Sequence, residues 1–308
     1  MKPSGRVFIL EHPHRLLGLD QSHYVARHLA ARWRQQGIEI LRGFDPAALP
    51  PADALFLHVD LSLLPPTYCG LAEGFCAAIN AEITDIRKRT LSLNQVVPGD
   101  GYAGPVIIKT SLNHAGGPER NALIPDDAGA RRLFHLRNKW RRWWERLGGL
   151  GSGRLRASTL LSKEAYCILP SIDRVPEACF ADPDVVIERF TPEYHDGRYV
   201  LREWYFLGEA EFVRTEVASH PVITSGEYRA DLTLEVPANL RRLRREWRID
   251  YGKIDYVMKD GEAVVFDVNK TPCFPGPPVS EPHQRLIEAL APGIALFLPG
   301  ERASSRAG

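Results

Sequence analysis

The first ninety residues alternate near-continuous apolar runs with amphipathic stretches. Val7–Leu10, Ile38–Leu41 and Ala54–Val59 have strand length and character. Between the first two runs, Tyr24, Val25, His28, Leu29 and Trp33 recur at helical spacing, which predicts a helix over 20–36 capped by Asp20 or Ser22. Leu71–Ala78 reads as a further helix. Strands and helices taking turns at this pitch predict a small parallel α/β unit over about residues 1–90. No G-x-G-x-x-G follows the first strand, so a dinucleotide fingerprint is absent.

Beyond the turn Pro98–Gly101, residues 105–183 read as a second unit. It opens on the apolar strand Val106–Thr110. Within it Leu133, Leu136, Trp140, Trp143, Trp144 and Leu147 fall at helical spacing among five arginines and lysines. That helix reads as a packed Trp stripe with a solvated basic face, rather than a nucleic-acid or membrane element. The glycine-rich run Gly148–Gly153 after it suits a mobile loop. Residues 184–300 read as a third unit, with strands at Val185–Phe190, Leu201–Leu207, Glu211–Glu216, Ile254–Lys259 and Ala263–Val268 and helices at Ala238–Trp247 and Pro282–Leu290.

Composition narrows the function classes. The 308 residues carry 39 basic and 38 acidic side chains, net charge +1, so no global field points to nucleic acid. Five cysteines without C-x-x-C spacing suit reduced, mostly buried thiols. No apolar stretch reads as a signal peptide or membrane span, and the expectation is a soluble, cytoplasmic protein.

The chemistry concentrates in Tyr251–Gly276. Two strands joined by an Asp260-Gly261 turn would fold Asp255 back toward Asp267 and Asn269, which lie two apart and share a face. Two carboxylates and an amide oxygen are the ligand set of a hard divalent cation, which in turn suggests a nucleotide triphosphate. Upstream, Lys109 leaves an apolar strand beside a loop bearing Gly116 and Gly117, an arrangement that can hold phosphate by ammonium and backbone N–H. It lacks the G-K-[ST] order of a P-loop. Asn113, His114 and Glu119 in that loop are candidates for nucleotide or substrate contact, although ordinary loop roles are the commoner outcome. Cys273, near the presumed site, reads as a structural thiol rather than a substrate contact, and the histidines 12, 14 and 58, which show no ligand spacing, read as solvated loop residues rather than the border of a substrate pocket.

Gly252-Lys253-Ile254-Asp255 followed by Asp267-Val268-Asn269-Lys270-Thr271-Pro272 resembles the metal-binding end of the ATP-grasp superfamily, as in D-alanine–D-alanine ligases and glutathione synthetases. Lys253 stands where an Arg is common and Asp267 where Glu is usual. The resemblance implies an α/β (α+β) fold: an amino-terminal α/β domain at 1–95, a central lid at 96–186, a carboxy-terminal antiparallel unit at 187–300, and a disordered tail at 301–308. ATP would lie between the last two domains. The resemblance further implies Glu188 as hinge acid, the backbone N–H of Phe190 as adenine reader and Glu193 as ribose acid. Arg202, Arg214 and Lys253 would face γ-phosphate or an acyl-phosphate, with Lys88 a weaker candidate for a first phosphate lysine. The cofactors expected are ATP with one or two Mg²⁺, Mn²⁺ being possible. The partners expected are a small-molecule carboxylate and an amine, with a homodimer possible. The expected function is ATP-dependent carboxylate–amine ligation through an acyl-phosphate. A phosphotransferase on the same scaffold and a catalytically silent ATP-binding module are the alternatives.

Overall fold

A computed structural model describes residues 5–12, 23–123, 127, 129–130, 132–133, 136, 165–223, 226–274 and 280–299. The predicted Trp/Arg helix over 133–147, the run Gly148–Gly153, Asp20, Ser22, His14 and the tail lie essentially outside these residues.

In chain order the strands and helices are β1 (Arg6–Glu11), α1 (Val25–Gln35), β2 (Glu39–Gly43), β3 (Ala54–His58), β4 (Ala77–Ile79), α2 (Lys88–Leu91), β5 (Val106–Thr110) and α3 (Gly117–Ala122). They continue with β6 (Cys167–Leu169), α4 (Glu177–Ala181), β7 (Val185–Arg189), β8 (Glu193–His195), β9 (Arg198–Leu207), β10 (Ala210–Ala218) and β11 (Glu227–Tyr228). The last are α5 (Ala238–Glu246), β12 (Tyr251–Lys259), β13 (Glu262–Asn269) and α6 (Glu281–Leu290).

These strands form three sheets. The first is parallel, in the order β2-β1-β3-β4, as the alternating pattern predicts. Two local expectations fail in it. Leu71–Ala78 is not a helix: a 3-10 turn ends at Gly74, and Ala77–Ile79 joins the sheet as β4. Short, small residues fit an edge strand as well as they fit a helix, and pairing with β3 decides between them. Helix α1 begins at Val25 with Tyr24 in the cap position and no side-chain cap, because the Val25 N–H is satisfied by the Pro272 carbonyl at 2.9 Å.

The second sheet, β6-β5-β7, is antiparallel. Strand β7 pairs with β5 along its length, so it belongs with the central unit, and a boundary at 186/187 cuts through a strand. The third sheet has six antiparallel strands in the order β11-β10-β9-β12-β13, with β8 on β9. One core joins α1, α6 and the parallel sheet to Tyr205, Leu207 and Tyr251. The Trp33 indole donates to the Ala291 carbonyl at 2.9 Å, locking the amino-terminal helix onto the chain's last turns. The opposite face of the large sheet buries Trp204, Phe206, Ile254 and Tyr256 against Leu240 of α5.

A close approach fixes that docking. A Cβ at Gly293 would lie 2.0 Å from the Leu207 carbonyl oxygen. Gly293→Ala is therefore expected to destabilise the protein by about 1–3 kcal/mol, read as a lower urea midpoint with an unchanged slope.

No disulfide joins the five cysteines, all of them described residues: Cys179 is buried, Cys167 and Cys273 are half-buried, and Cys69 and Cys76 are exposed. Among the described residues no helix is long and apolar enough to cross a membrane.

Candidate active site

The β12–β13 hairpin forms as its sequence predicts. Asp260 and Gly261 have φ of 51° and 86°, the paired left-handed conformations of a tight hairpin turn. Asp255 then falls opposite Asp267, and Lys253 opposite Asn269. Immediately beyond, the register slips so that Tyr256 faces Val265, leaving Phe266 as the extra residue of a bulge. Gly252 admits the crossing: a Cβ there would sit 2.6 Å from the Asn269 carbonyl oxygen.

A cavity between the central and large sheets is lined by Lys88, Lys109, Asp255 and Asp267. Ile107, Phe190, Val200, Leu201, Ile223 and Phe266 add apolar surface, and Arg189 and Thr191 further polar groups. The Lys88 ammonium is 2.9 Å from Asp267 Oδ1. Burial alone would favour the neutral amine, but the Asp267 carboxylate outweighs it and the Lys88 pKa is raised. Lys109 pairs with Glu188, and its ammonium also donates to the bulged Phe266 carbonyl at 3.2 Å. The Tyr166 hydroxyl lies in the same wall, its pKa pushed up to about 12 chiefly by burial.

Behind Asp255 a row of alternating charges crosses three strands. Lys253 bridges Asp255 at 2.8 Å and Glu203 at 2.6 Å. Arg214 joins Glu203 at 2.5 Å to Glu216 at 2.8 Å. Its guanidinium also approaches His283 Nε2 at 3.3 Å. Burial acts to raise the Glu203 pKa, but Lys253 and Arg214 prevail and bring it to about 2. A carboxyl depressed on folding stabilises the protein above its unfolded value, and that contribution is lost as pH falls through the folded one. Acid unfolding should therefore steepen from about pH 4.5 down to about 2. Glu203→Gln should flatten that limb in a pH series of thermal melts, and an unchanged limb would show that another group governs it.

The structure rearranges several expected roles. Glu188 reaches the site only through Lys109. Phe190 lines the cavity, but its N–H donates to the Pro105 carbonyl at 2.8 Å and so is already engaged in a strand-end bond. Glu193 and Arg202, expected at ribose and phosphate, instead pair with each other, and Glu193 also accepts from the Met258 N–H at 2.8 Å. Neither lines the cavity. Both face the side of the large sheet opposite Asp255, because Arg202 is one residue out of phase with Glu203. Arg214 and Lys253 are on the correct face but are held in the charge row. Gly116 and Gly117 lie outside the cavity lining, where a 3-10 turn (Asn113–Gly116) passes directly into α3 instead of the expected loop. There Asn113 donates to the Val268 carbonyl at 3.0 Å and its N–H bonds Ser62 Oγ. His58, read as a solvated loop residue, is buried beside Glu11 and Tyr24. Lys88 is the site residue that the sequence indicated least, because a lysine after Asp85-Ile86-Arg87 carries no pattern of its own.

Asp255 and Asp267 oppose each other across the hairpin and both line the cavity, a carboxylate pair that suits a hard divalent cation. Asn269, two residues along β13, lies outside the lining, and its Oδ1 accepts from Thr271 Oγ1 at 3.2 Å. Asn269 Oδ1 accepts from the Thr271 N–H at 2.8 Å, which fixes the amide's orientation.

No protein-family model and no curated protein matches the chain. Among solved structures it is similar to a RimK-domain ATP-grasp protein from Sphaerobacter thermophilus, at 14% identity and TM-score 0.49 over 96% of this chain and 100% of that one. It is also similar to a D-alanine–D-alanine ligase from Bacillus anthracis, at 12% identity and TM-score 0.46 over 99% and 100%. A third is the macrocyclase MdnB from Microcystis aeruginosa, at 11% identity and TM-score 0.40 over 96% and 99%. At these values the chemistry has to be read from the residues themselves.

Proposed function

We propose that this chain is an ATP-grasp enzyme, an ATP- and magnesium-dependent, ADP-forming carboxylate–amine ligase. The observation that carries the reading is one cavity lined by two lysines and two opposed aspartates together with a set of apolar side chains. An adenine ring suits the slot formed by Ile107, Phe190, Val200 and Phe266, and a triphosphate suits the charged side chains. Lys88 and Lys109 hold phosphate oxygens as point charges. A divalent cation bound by Asp255, Asp267 and Asn269 would offset charge on the β- and γ-phosphate oxygens.

A substrate carboxylate oxygen attacks the γ-phosphorus as the bond to the bridging oxygen breaks, giving ADP and an acyl-phosphate. The amine nitrogen then attacks the acyl carbon, phosphate leaves with the bonding electrons, and the amine gives up a proton. Neither step requires a protein nucleophile, which agrees with the state of Cys273: its thiol pKa is pushed up to about 12, chiefly by burial. Lys253 pairs with Asp255 and orients its carboxylate from behind.

The test is to incubate the protein with magnesium, ATP and a panel of small carboxylates, with and without amines, and to measure ADP, free phosphate and phosphorylated products. Phosphate release that requires both carboxylate and amine is the expected result. A stable phosphorylated product formed without amine would make the protein a phosphotransferase. Tight ATP binding with no turnover would make it a binding module.

A further inference from the structure

Lysine is among the residues least often buried without a partner, yet Lys270 is only 2% exposed and makes no hydrogen bond or ion pair among the described residues. It directly follows Asn269, at the junction of β13 with the parallel sheet and the Asn113–Glu119 loop. The surrounding acids are engaged elsewhere. Asp60 accepts from Tyr24 Oη at 2.5 Å and Thr271 Oγ1 at 2.7 Å. Asp85 is paired with Arg87 at 2.7 Å and Thr90 at 2.8 Å. Glu119 spends Oε1 on the Ser62 N–H at 2.8 Å.

Two acceptors near Lys270 are equally unsatisfied. Glu119 Oε2 and Asn113 Oδ1 are buried without hydrogen-bond partners. Ser62 connects them, since its N–H goes to Glu119 and its hydroxyl accepts from the Asn113 N–H at 2.9 Å. The Asn113 amide is anchored on the Val268 carbonyl, two residues from Lys270, and Glu119 acts electrostatically on Lys270. An orphaned buried donor beside orphaned buried acceptors is a site awaiting a molecule that supplies both complements.

We infer that Lys270, Asn113 and Glu119 form a substrate-recognition subsite that reads a carboxylate and an N–H donor on one ligand, the arrangement of a free amino acid's charged head. Lys270 takes the carboxylate, and the Glu119 and Asn113 oxygens take the ammonium. The assignment of this ligand as a ligase substrate rests on the function proposed above. The subsite itself rests on the unsatisfied groups. Loss of a buried, unpaired ammonium should not weaken the fold, so Lys270 is retained at a cost to stability, as functional groups often are.

The test uses the full chain and calorimetric binding of the common free α-amino acids, with the carboxamide and N-acetyl derivative of each that binds. The blocked forms should bind at least about tenfold more weakly, since buried polar groups reject a ligand lacking their partner. Lys270→Met should lose the preference for free acid over carboxamide and melt no lower than the wild type. Glu119→Gln should reduce the preference for free amine over N-acetyl. The subsite is overturned if no amino acid binds, as a buried water network would give. It is also overturned if Lys270→Met keeps the acid preference or melts several degrees lower. Binding of magnesium-ATP, measured separately, distinguishes the two readings: amino-acid binding without ATP binding overturns the proposed function and leaves the subsite standing.

Discussion

Asp267→Asn is expected to lower magnesium-dependent ADP formation by on the order of 10²- to 10³-fold, the scale on which a fixed electrostatic group at a transition state acts. Two effects combine in the substitution. One of two opposed hard-oxygen ligands becomes a weaker neutral one, and the Lys88 ammonium loses the carboxylate 2.9 Å away that outweighs its burial. The second effect also costs stability, since removing one partner of a buried pair leaves the other charge uncompensated. Lys88→Met combined with Asp267→Asn separates them, because the double variant should regain much of the lost stability but none of the activity. The measurement is ADP release at saturating magnesium together with a thermal melt of each variant. Activity within tenfold of wild type in the single variant would remove Asp267 from the site.

Lys109→Met is expected to be the most destabilising charge change in the molecule, by about 3–5 kcal/mol. The side chain of Glu188 is 1% exposed, and Lys109 is the cation paired with it. Without that ammonium, Glu188 must either take up a proton or remain as a charge buried on β7 after Ile187, opposite Ile107 of β5. Denaturant unfolding between pH 5 and 8 checks this. The variant should recover as pH falls, because protonation relieves the stranded carboxylate, and Lys109→Met combined with Glu188→Gln should be stable across the range. A single variant as stable as the wild type would mean that the pair is not buried in solution.

The parts that were legible in the sequence are those in which local chemistry and tertiary packing agree. The hairpin could be read because Asp-Gly sets its turn and alternation sets its faces, so Asp255 and Asp267 had only one way to meet. Lys109 could be read because it comes near the end of an apolar strand, the central one of its sheet. Arg202 and Glu193 pair with each other away from the cavity for a simple physical reason. Two adjacent strand residues point to opposite faces, and nothing in the local sequence says whether Arg202 or Glu203 faces the cavity. The Phe190 N–H, expected to read adenine, donates to the Pro105 carbonyl just before β5, which only the pairing of strands reveals. The Gly116–Gly117 loop carries ordinary phosphate-binding composition, yet Asn113 and Glu119 fasten it toward Ser62, a contact 51 to 57 residues away in the chain. Leu71–Ala78 failed for lack of length, since eight residues, all but Glu73 small or apolar, do not decide between a turn-strand and a helix.

The buried row from Glu216 through Arg214, Glu203 and Lys253 to Asp255 bears on how this protein can change over time. Each member is the counter-charge of its neighbours, so the effects of substitutions along it are coupled rather than additive. A lineage that loses one charge is left with a neighbour it can tolerate only by losing or reversing that neighbour as well. Divergence in this row should therefore proceed by paired exchanges, with single replacements rare, while the apolar slot beside it drifts one residue at a time.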